Sequence, residues 1–430
     1  MLRLSLILML GFQFIYAQEF KDSLSVNDAV ALTLKNYPLI QQAAEKINVA
    51  EAKIKEQQSA LYPALDAEAS YERIGPIPSI IFGAESFDLA VPNNYNADVS
   101  VYHTLYDFGR RNASVDLVKS YKNSAIDNVE YVKSNLAFQT VQTFYSIILL
   151  ERSIAVKDTD ILNLKDHLSF TQKRFETGSA TDFDVLTTQV RISNAENQKL
   201  DLKNALKKQI INLKNLTGIP YDSTANLVGD FSLNYNIINK DSLIAAAMQQ
   251  RPELKLALDS ENSAKMQQNV AGLGNMPSLN LMLSYGLKNG FMPNLNAIRG
   301  NWIAGVGLSV PIFDGFRTSA NEEEADANLK VTEANTSEVR KDVISEVQRS
   351  AEDLKIKINK VSTTKIQVNY AKESLQRANT QYRNGVSTNL DLLDAEDSLA
   401  QARLQFLLAV YEAIISNYNL KKSVGDVIWQ

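Results

Sequence analysis

The sequence predicts an α+β membrane protein built from a duplicated unit, and three observations predict it. Residue types recur at two constant offsets along the chain, 214 and then 207 positions. Long stretches without proline carry a seven-residue apolar repeat, as coiled coils do. Four shorter stretches alternate apolar and polar residues with a period of two, as the strands of membrane β-barrels do.

Composition narrows the classes of function. The 430 residues include no Cys, two His, 44 Lys+Arg and 49 Asp+Glu, for a net charge of −5. Without Cys there is no disulfide framework, thiolate nucleophile or zinc–thiolate site. The acidic balance disfavours a nucleic-acid partner. No nucleophile–base pair stands out, and "GVGLSV" lacks the third glycine of a dinucleotide fingerprint. We therefore expect no enzyme, no metal site and no cofactor.

Residues 1–17 have the pattern of a signal peptide. Basic Arg3 precedes an apolar run from Leu4 to Tyr16, which ends at the small residue Ala17. The alternative is a membrane anchor, but the run is shorter than the ~20 residues that a spanning helix needs. We expect an exported chain.

The duplication divides the remaining chain into two repeats. The pairs 214 apart are Pro38–Pro252, Pro63–Pro277 and Tyr71–Tyr285. The pairs 207 apart are Asp107–Asp314, Gly178–Gly385, Asp184–Asp391 and Gly218–Gly425. The offset changes between Tyr71 and Asp107, which places the length difference in a loop. The predicted division is a first repeat at 18–220, a linker at 221–240 and a second repeat at 241–430.

Each repeat has the same predicted order: a helix, two strands and a long helical hairpin. The first repeat has a helix over about Val26–Leu61, strands at Leu65–Arg73 and Ala97–Phe108, and long helices to Glu176 and to Leu216. The second has a helix near Ser242–Leu273, strands near Ser278–Leu287 and Trp302–Phe313, and long helices on either side of Gly385.

The heptads and glycines predict hairpins of coiled-coil helices. Apolar residues recur every seven positions at Ile147, Ile154, Ile161, Leu168 and Phe175. Gly178 and Gly385 suit the left-handed conformation that ends a helix. Polar residues that can cap the returning helix follow each glycine. This feature alone would also fit an ordinary antiparallel coiled-coil rod.

The strands distinguish the chain from a rod. In the stretch Leu279–Lys288 every second residue is apolar, and the same alternation runs from Leu65 to Glu72. Such strands place one face against lipid and the other toward a wet lumen. A small soluble sheet packed on the helices is the alternative. Four strands cannot close a barrel, since the smallest have about eight, so a barrel would need several chains.

Four segments resemble the outer membrane efflux protein (TolC-like) family. They are "LYDFGRRNA" (Leu105–Ala113), "VGLSVPIFDGFRTSA" (Val306–Ala320), "RFETGSATDFDVL" (Arg174–Leu186) and "QYRNGVSTNLDLLDAEDSLAQAR" (Gln381–Arg403). Each is weak alone, but two copies occur in order beside a duplication and a signal segment. The resemblance covers roughly Leu24–Gly425.

The resemblance implies a homotrimer in the outer membrane that extends into the periplasm. Three chains would form a 12-stranded β-barrel continuous with a long α-helical coiled-coil barrel, with Thr217–Lys240 in a belt around its middle. The implied function is the exit channel of a tripartite efflux or type I secretion system. The implied partners are outer-membrane lipid, a periplasmic adaptor (membrane fusion) protein docked near Gly178 and Gly385, and an inner-membrane RND or ABC-type pump.

The resemblance also assigns site residues. Asp391 and Asp394 match the pore constriction, where three copies would give two carboxylate rings that favour cations. Asp184 and Tyr382 match a closed-state lock and are expected to form a hydrogen bond. Ser387 stands where the family's lock has an arginine, so a charge-assisted link is expected to be missing. For Asp391 a simple helix-capping role is the alternative.

Two other functions stay open. One is a soluble periplasmic coiled-coil spacer with a small β-cap, and the other is an exported hydrolase, for which no catalytic site can be assembled. The sequence leaves the exported substrate and the class of pump open.

Overall fold

The computed structural model describes residues 23–83, 85–222, 226–231 and 239–427. The signal peptide predicted at 1–17 lies outside the described residues, as does part of the predicted linker 221–240. The elements of the first half are β1 (Ser23–Leu24), α1 (Val26–Asn36), α2 (Pro38–Ser59), β2 (Ala64–Arg73), β3 (Ser79–Phe82), β4 (Glu85–Asp88), β5 (Asn93–Tyr106), α3 (Arg110–Glu176) and α4 (Asp182–Thr217). Those of the second half are β6 (Asn226–Leu227), α5 (Lys240–Gln250), α6 (Pro252–Gly272), β7 (Ser278–Lys288), β8 (Arg299–Ser309), α7 (Arg317–Arg383) and α8 (Asn389–Val424).

The duplicated α+β architecture is confirmed. Helices α3 and α7 each span 67 residues, and α4 and α8 each span 36. At 1.5 Å per residue, the longer helices extend about 100 Å from the sheet. No helix within the described ranges combines the length and the apolar character needed to cross a membrane.

One antiparallel sheet unites the strands of both repeats in the order β2-β5-β7-β8. Residues directly opposite in neighbouring strands share a face. The register aligns Tyr71 with Tyr95, and Val99 with Tyr285 and then Trp302. This face is apolar across all four strands, and Trp302 is 74% exposed. The predicted alternation is therefore confirmed, and β2 and β8 are the two edges of the sheet.

Two predicted helices are each divided in two. The structure ends α1 before Pro38 and α5 before Pro252. Proline disfavours a helical conformation in the residue before it, and Tyr37 and Arg251 accordingly have extended backbones. The prediction of one continuous helix over 26–61, and of another over 242–273, was wrong at these points.

Strand ends also differ from the prediction. Strand β8 ends at Ser309 rather than Phe313 because Pro311 cannot donate to the ladder. Within the loop between β2 and β5, the short hairpin β3–β4 was not predicted. Neither was the two-residue parallel ladder between β1 and β6.

The largest apolar core lies where α1, α3, α4 and α8 meet. Its fully buried members include Val30, Phe144 and Ile147. The short segment after β6 joins this core through Phe231, whose ring lies 4.6 Å from the guanidinium of Arg152. The described part of the predicted linker therefore packs against the middle of the helices.

A buried arginine links the helices of the second repeat, also near the middle of its long helix. Arg251 is 5% exposed at the break between α5 and α6. Its guanidinium donates to Glu253 at 2.7 Å, to Glu346 of α7 at 2.6 Å and to the carbonyl of Ser423 in α8 at 2.8 Å. One side chain thus ties three helices of the repeat together.

Candidate functional site

Each long hairpin turns at one of the predicted glycines. Gly178 and Gly385 have φ angles of 73° and 74°, in the left-handed region that other residues rarely adopt. The Gly178 N–H donates to the carbonyl of Phe175 at 2.9 Å, and the Gly385 N–H donates to that of Tyr382 at 3.1 Å. The two repeats therefore end in matching tips.

A capping box begins the returning helix at both tips. The Thr181 hydroxyl donates to the Asp184 carboxylate at 2.7 Å and accepts from the Asp184 N–H at 3.2 Å. Thr388 and Asp391 form the same pair at 2.7 and 3.2 Å. Hydrogen bonds from Thr388 lower the pKa of Asp391. Each pair satisfies backbone donors that a helix start leaves free.

The two tips meet in a joint between α3 and the start of α8. His167 is 6% exposed, and its Nε2 lies 2.7 Å from the side-chain oxygen of Asn389. The Asn389 amide in turn donates to the backbone carbonyl of Asp184 at 3.3 Å. Burial lowers the pKa of His167, against the opposing effects of the Asn389 hydrogen bond and the Asp184 charge. Low accessibility and neutral partners suit an uncharged imidazole here.

Tyr382 lies at the centre of this joint and is 4% exposed. The ring of His167 lies 5.3 Å from its ring, and the guanidinium of Arg174 lies 4.9 Å from it. Arg174 also donates to the Tyr382 carbonyl at 3.2 Å. The Tyr382 hydroxyl has only a long contact, 3.4 Å, with the hydroxyl of Thr171. The ring therefore contributes more to the joint than the hydroxyl does.

The predicted hydrogen bond between Asp184 and Tyr382 is not formed in this structure. Asp184 directs its carboxylate to Thr181, because the capping box competes for it, and only its backbone carbonyl reaches the second hairpin. The joint is instead held by His167, Asn389 and the buried ring of Tyr382. The roles of Asp184 and Tyr382 in a closed-state lock stay predictions.

The two predicted constriction residues have different environments. The carboxylate of Asp391 is in its own capping box, as the alternative held. Asp394 accepts from Arg191 of α4 at 3.0 Å, and both side chains are partly exposed. Ser387 makes one weak hydrogen bond, 3.5 Å to the carbonyl of Ala378. A single chain therefore offers two exposed carboxylates at the tip, and their role as rings stays a prediction.

A buried cluster of one lysine and two acids lies between α3 and α8, farther from the tips than the joint. Lys157 and Asp160 form an ion pair at 3.1 Å, with side chains 5% and 9% exposed. Glu396 lies nearby, and its buried Oε2 has no hydrogen-bond partner among the described residues. Burial, with a smaller effect of the Asp160 charge, raises the pKa of Glu396 to about 7. Glu396 also lines a polar cavity of about 280 Å³ together with His167 and Tyr382.

The sheet face opposite the apolar one carries a polar network. Asp98 accepts from Asn96 at 2.7 Å, from Ser100 at 2.8 Å and from Ser284 of the next strand at 3.2 Å. Gly286 lies beside it, where an added Cβ would approach the Asp98 Cβ to 2.5 Å. Close approach of the two strands thus needs a glycine at this point.

Four residues of the site were not predicted as such from the sequence: His167, Asn389, Arg191 and Glu396. The repeats differ in residue type at the two residues that join the hairpins. The residues 207 positions from His167 and Asn389 are Ser374 and Asp182. The repeats differ at most other paired positions as well, so this difference does not single out the contact between the hairpins.

An antiparallel sheet with one apolar face and two open edges, joined to two capped helical hairpins of equal length, defines a class of protein in which a sheet and a coiled coil are continuous. The chain belongs to the outer membrane efflux protein family, whose sequence model matches residues 29–219 and 243–426. It is an outer membrane protein with the duplicated organisation of that family.

Known proteins agree with this assignment. The chain is 22% identical to outer membrane protein TolC of Salmonella enteritidis, over 93% of this chain and 85% of the relative. The crystal structure of CusC matches with a TM-score of 0.82 at 20% identity, covering 94% of this chain and 92% of that one. The Campylobacter jejuni CmeC outer membrane channel matches with a TM-score of 0.80 at 19% identity, covering 93% and 85%.

Proposed function

We propose that the protein is a trimeric outer-membrane channel that carries substrates from the periplasm to the exterior in a tripartite efflux or type I secretion system. The observation that carries this proposal is the sheet: an apolar face runs across four strands, and the two edge strands, β2 and β8, pair with no further strand among the described residues. Four strands cannot close, and an unpaired edge is avoided in a membrane. Three copies joined edge to edge would give twelve strands and no free edge.

The division into repeats 18–220 and 241–430, with a linker at 221–240, is part of this proposal. Each repeat would supply two strands to the barrel and one hairpin to a tube in the periplasm. The polar face with Asp98 would line the lumen, which supports a passage for hydrated solutes. Family membership favours this channel over the soluble spacer considered from the sequence.

The tips would form the periplasmic entrance. Three copies of Asp391 and of Asp394 would place carboxylates around the threefold axis and favour cations. The ion pair between Arg191 and Asp394 supports a closed state in which the second hairpin is tied to the first. Opening would separate α7 and α8 from α3 and break the joint at Tyr382.

The proposed partners follow from the channel's lack of an energy source. An inner-membrane RND or ABC-type pump would drive transport, and a periplasmic adaptor would dock at the tips around Gly178 and Gly385. Both tips are exposed, which supports this position. The relatives are outer membrane proteins and channels by name, which supports a protein that performs no catalysis itself.

The proposal is tested with purified protein in planar lipid bilayers. Light scattering in detergent is expected to give the mass of three chains, and reconstitution is expected to give discrete conductance steps. Asp391→Asn with Asp394→Asn is expected to reduce cation selectivity, while Glu322→Gln, at an exposed position near the start of α7 and far from the tip, serves as the control. A folded monomer that leaves bilayers non-conducting would refute the proposal.

A further inference from the structure

The hairpin β3–β4 carries a compact group of three apolar side chains that the described residues of its own chain leave largely exposed. Cross-strand pairing places Ile80 opposite Phe87 and Phe82 opposite Glu85, so these four side chains share one face. Ile80, Phe82 and Phe87 are 50%, 81% and 50% exposed. Exposed apolar groups that cluster in this way mark interaction surfaces.

The opposite face of the hairpin is different. It carries Ile81 among Ser79, Ser86 and Asp88. Between the described residues of the hairpin and β7, β8 or their connecting loop, no hydrogen bond or ion pair is formed. The apolar face is therefore available to a partner.

The loop between β7 and β8 offers a complementary surface. Met292 and Ile298 of this loop are 70% and 60% exposed. Arg299 holds the loop in shape by donating to the Met292 carbonyl at 2.9 Å. Two cations, Lys288 and Arg299, flank the loop, and neither forms an ion pair in the part of the chain that the structure describes.

Charge and strand order together identify the partner. Glu85 and Asp88 of the hairpin also have no ion-pair partner among the described residues, and they are opposite in sign to Lys288 and Arg299. The hairpin follows β2, which is one edge of the sheet, whereas the β7–β8 loop precedes β8, the other edge. In a ring of identical sheets, edge β2 of one copy lies beside edge β8 of the next. Anionic lipid headgroups would be repelled by Glu85, the carboxylate on the same face as the three apolar side chains.

We propose that the β3–β4 hairpin is a clasp between chains: its Ile80–Phe82–Phe87 face packs on the β7–β8 loop of the neighbouring copy, around Met292 and Ile298. This proposal rests on the trimer proposed above. The contact buries apolar surface at the end of the sheet farthest from the helices and brings Glu85, which lies on the packed face, near the two bases of the loop. It extends the contact between neighbouring copies beyond the last hydrogen bond between their edge strands.

Disulfide trapping tests the clasp, and the absence of any native Cys removes background. The variant Phe82→Cys with Met292→Cys is oxidised in detergent and in lipid vesicles. We expect covalent dimers and trimers on non-reducing gels. The matched control is Ile81→Cys with Met292→Cys, whose first thiol lies on the other face of the hairpin and is expected to cross-link far less.

Light scattering of the same samples separates this proposal from the trimer itself. A confirmed trimer in which the Phe82→Cys pair cross-links no more than the Ile81→Cys pair would overturn the clasp and leave the channel intact. A product with the mass of one chain would mean contact within a copy, which also overturns it. Protection of the Phe82→Cys thiol from a water-soluble maleimide only in vesicles, without cross-linking, would assign the face to lipid instead.

Discussion

Protonation of Glu396 is expected to stabilise the joint between α3 and α8. The pKa of this carboxyl is raised from 4.5 to about 7 by burial, with Asp160 adding a smaller effect. One pKa unit corresponds to ~1.4 kcal/mol, so ionising Glu396 in the closed joint costs roughly 3 kcal/mol relative to ionising it in water. The neighbouring cavity gives partial access to solvent, so we expect a measured effect of about 2 kcal/mol.

The sign follows from linkage. Below a pH of 4.5 the carboxyl is protonated in both states, so stability is unaffected. As the pH rises toward 7, the unfolded state releases its proton while the native state retains it, so stability falls and then levels off. The substitution Glu396→Gln removes this dependence, because an amide fits the same space without a charge. We expect it to stabilise the protein at about pH 8 and to change little at about pH 4.

Thermal unfolding followed by circular dichroism measures this effect, at one scan rate and in one detergent. The control is Glu373→Gln on α7, where the native carboxylate is 64% exposed and lies 4.0 Å from Arg377. An equal pH response in wild type and Glu396→Gln would show that Glu396 is not held neutral by its surroundings. If Glu373→Gln removed the pH dependence of stability to the same extent, that dependence would reflect a general effect of charge and not Glu396 in particular.

Three further predictions follow from side chains that fix the helices. Tyr382→Phe is expected to leave bilayer conductance unchanged, whereas Tyr382→Ala is expected to raise it. The reason is that the ring fills the joint, while the hydroxyl has only the long contact with Thr171. Equal conductance of the two variants would contradict this. Arg251→Ala is expected to lower the free energy of unfolding by roughly 2–4 kcal/mol in urea titrations, since the partly buried carboxylates of Glu253 and Glu346 and the buried carbonyl of Ser423 lose their partner, and Arg251→Lys should restore part of it. Gly178→Ala is expected to destabilise by about 1 kcal/mol because φ is positive there, whereas Gly272→Ala in a helix should not.

Periodic and duplicated features of this fold could be predicted from the sequence. The alternation at Leu279–Lys288 and the heptads around Ile161 each place apolar residues on one face, which must be buried or in contact with lipid. A period of two indicates a strand and a period of seven indicates a coiled-coil helix, so the period predicts the type of element. Gly178 and Gly385 mark tips because a positive φ admits few other residues. Such signals are local, and a single sequence contains them in full.

The joint between the hairpins could not be predicted in the same way. Asp184 was expected to reach Tyr382, yet its own helix start takes the carboxylate, and a competition between two partners depends on distances that no sequence pattern encodes. His167 was not assigned to the site, because nothing near it in sequence indicates Asn389, 222 positions away. The hairpin β3–β4 was missed because its strands have only four residues each.

The equal lengths of the two hairpins limit which insertions and deletions in their helices keep the contact between the tips. Because α3 matches α7 and α4 matches α8 residue for residue in length, both turns reach the same depth and His167 meets Asn389. Inserting one heptad into each arm of a single hairpin would lower its turn by about 10 Å and separate these partners. A change of length that keeps these partners in contact would therefore add or remove whole heptads in both repeats at once.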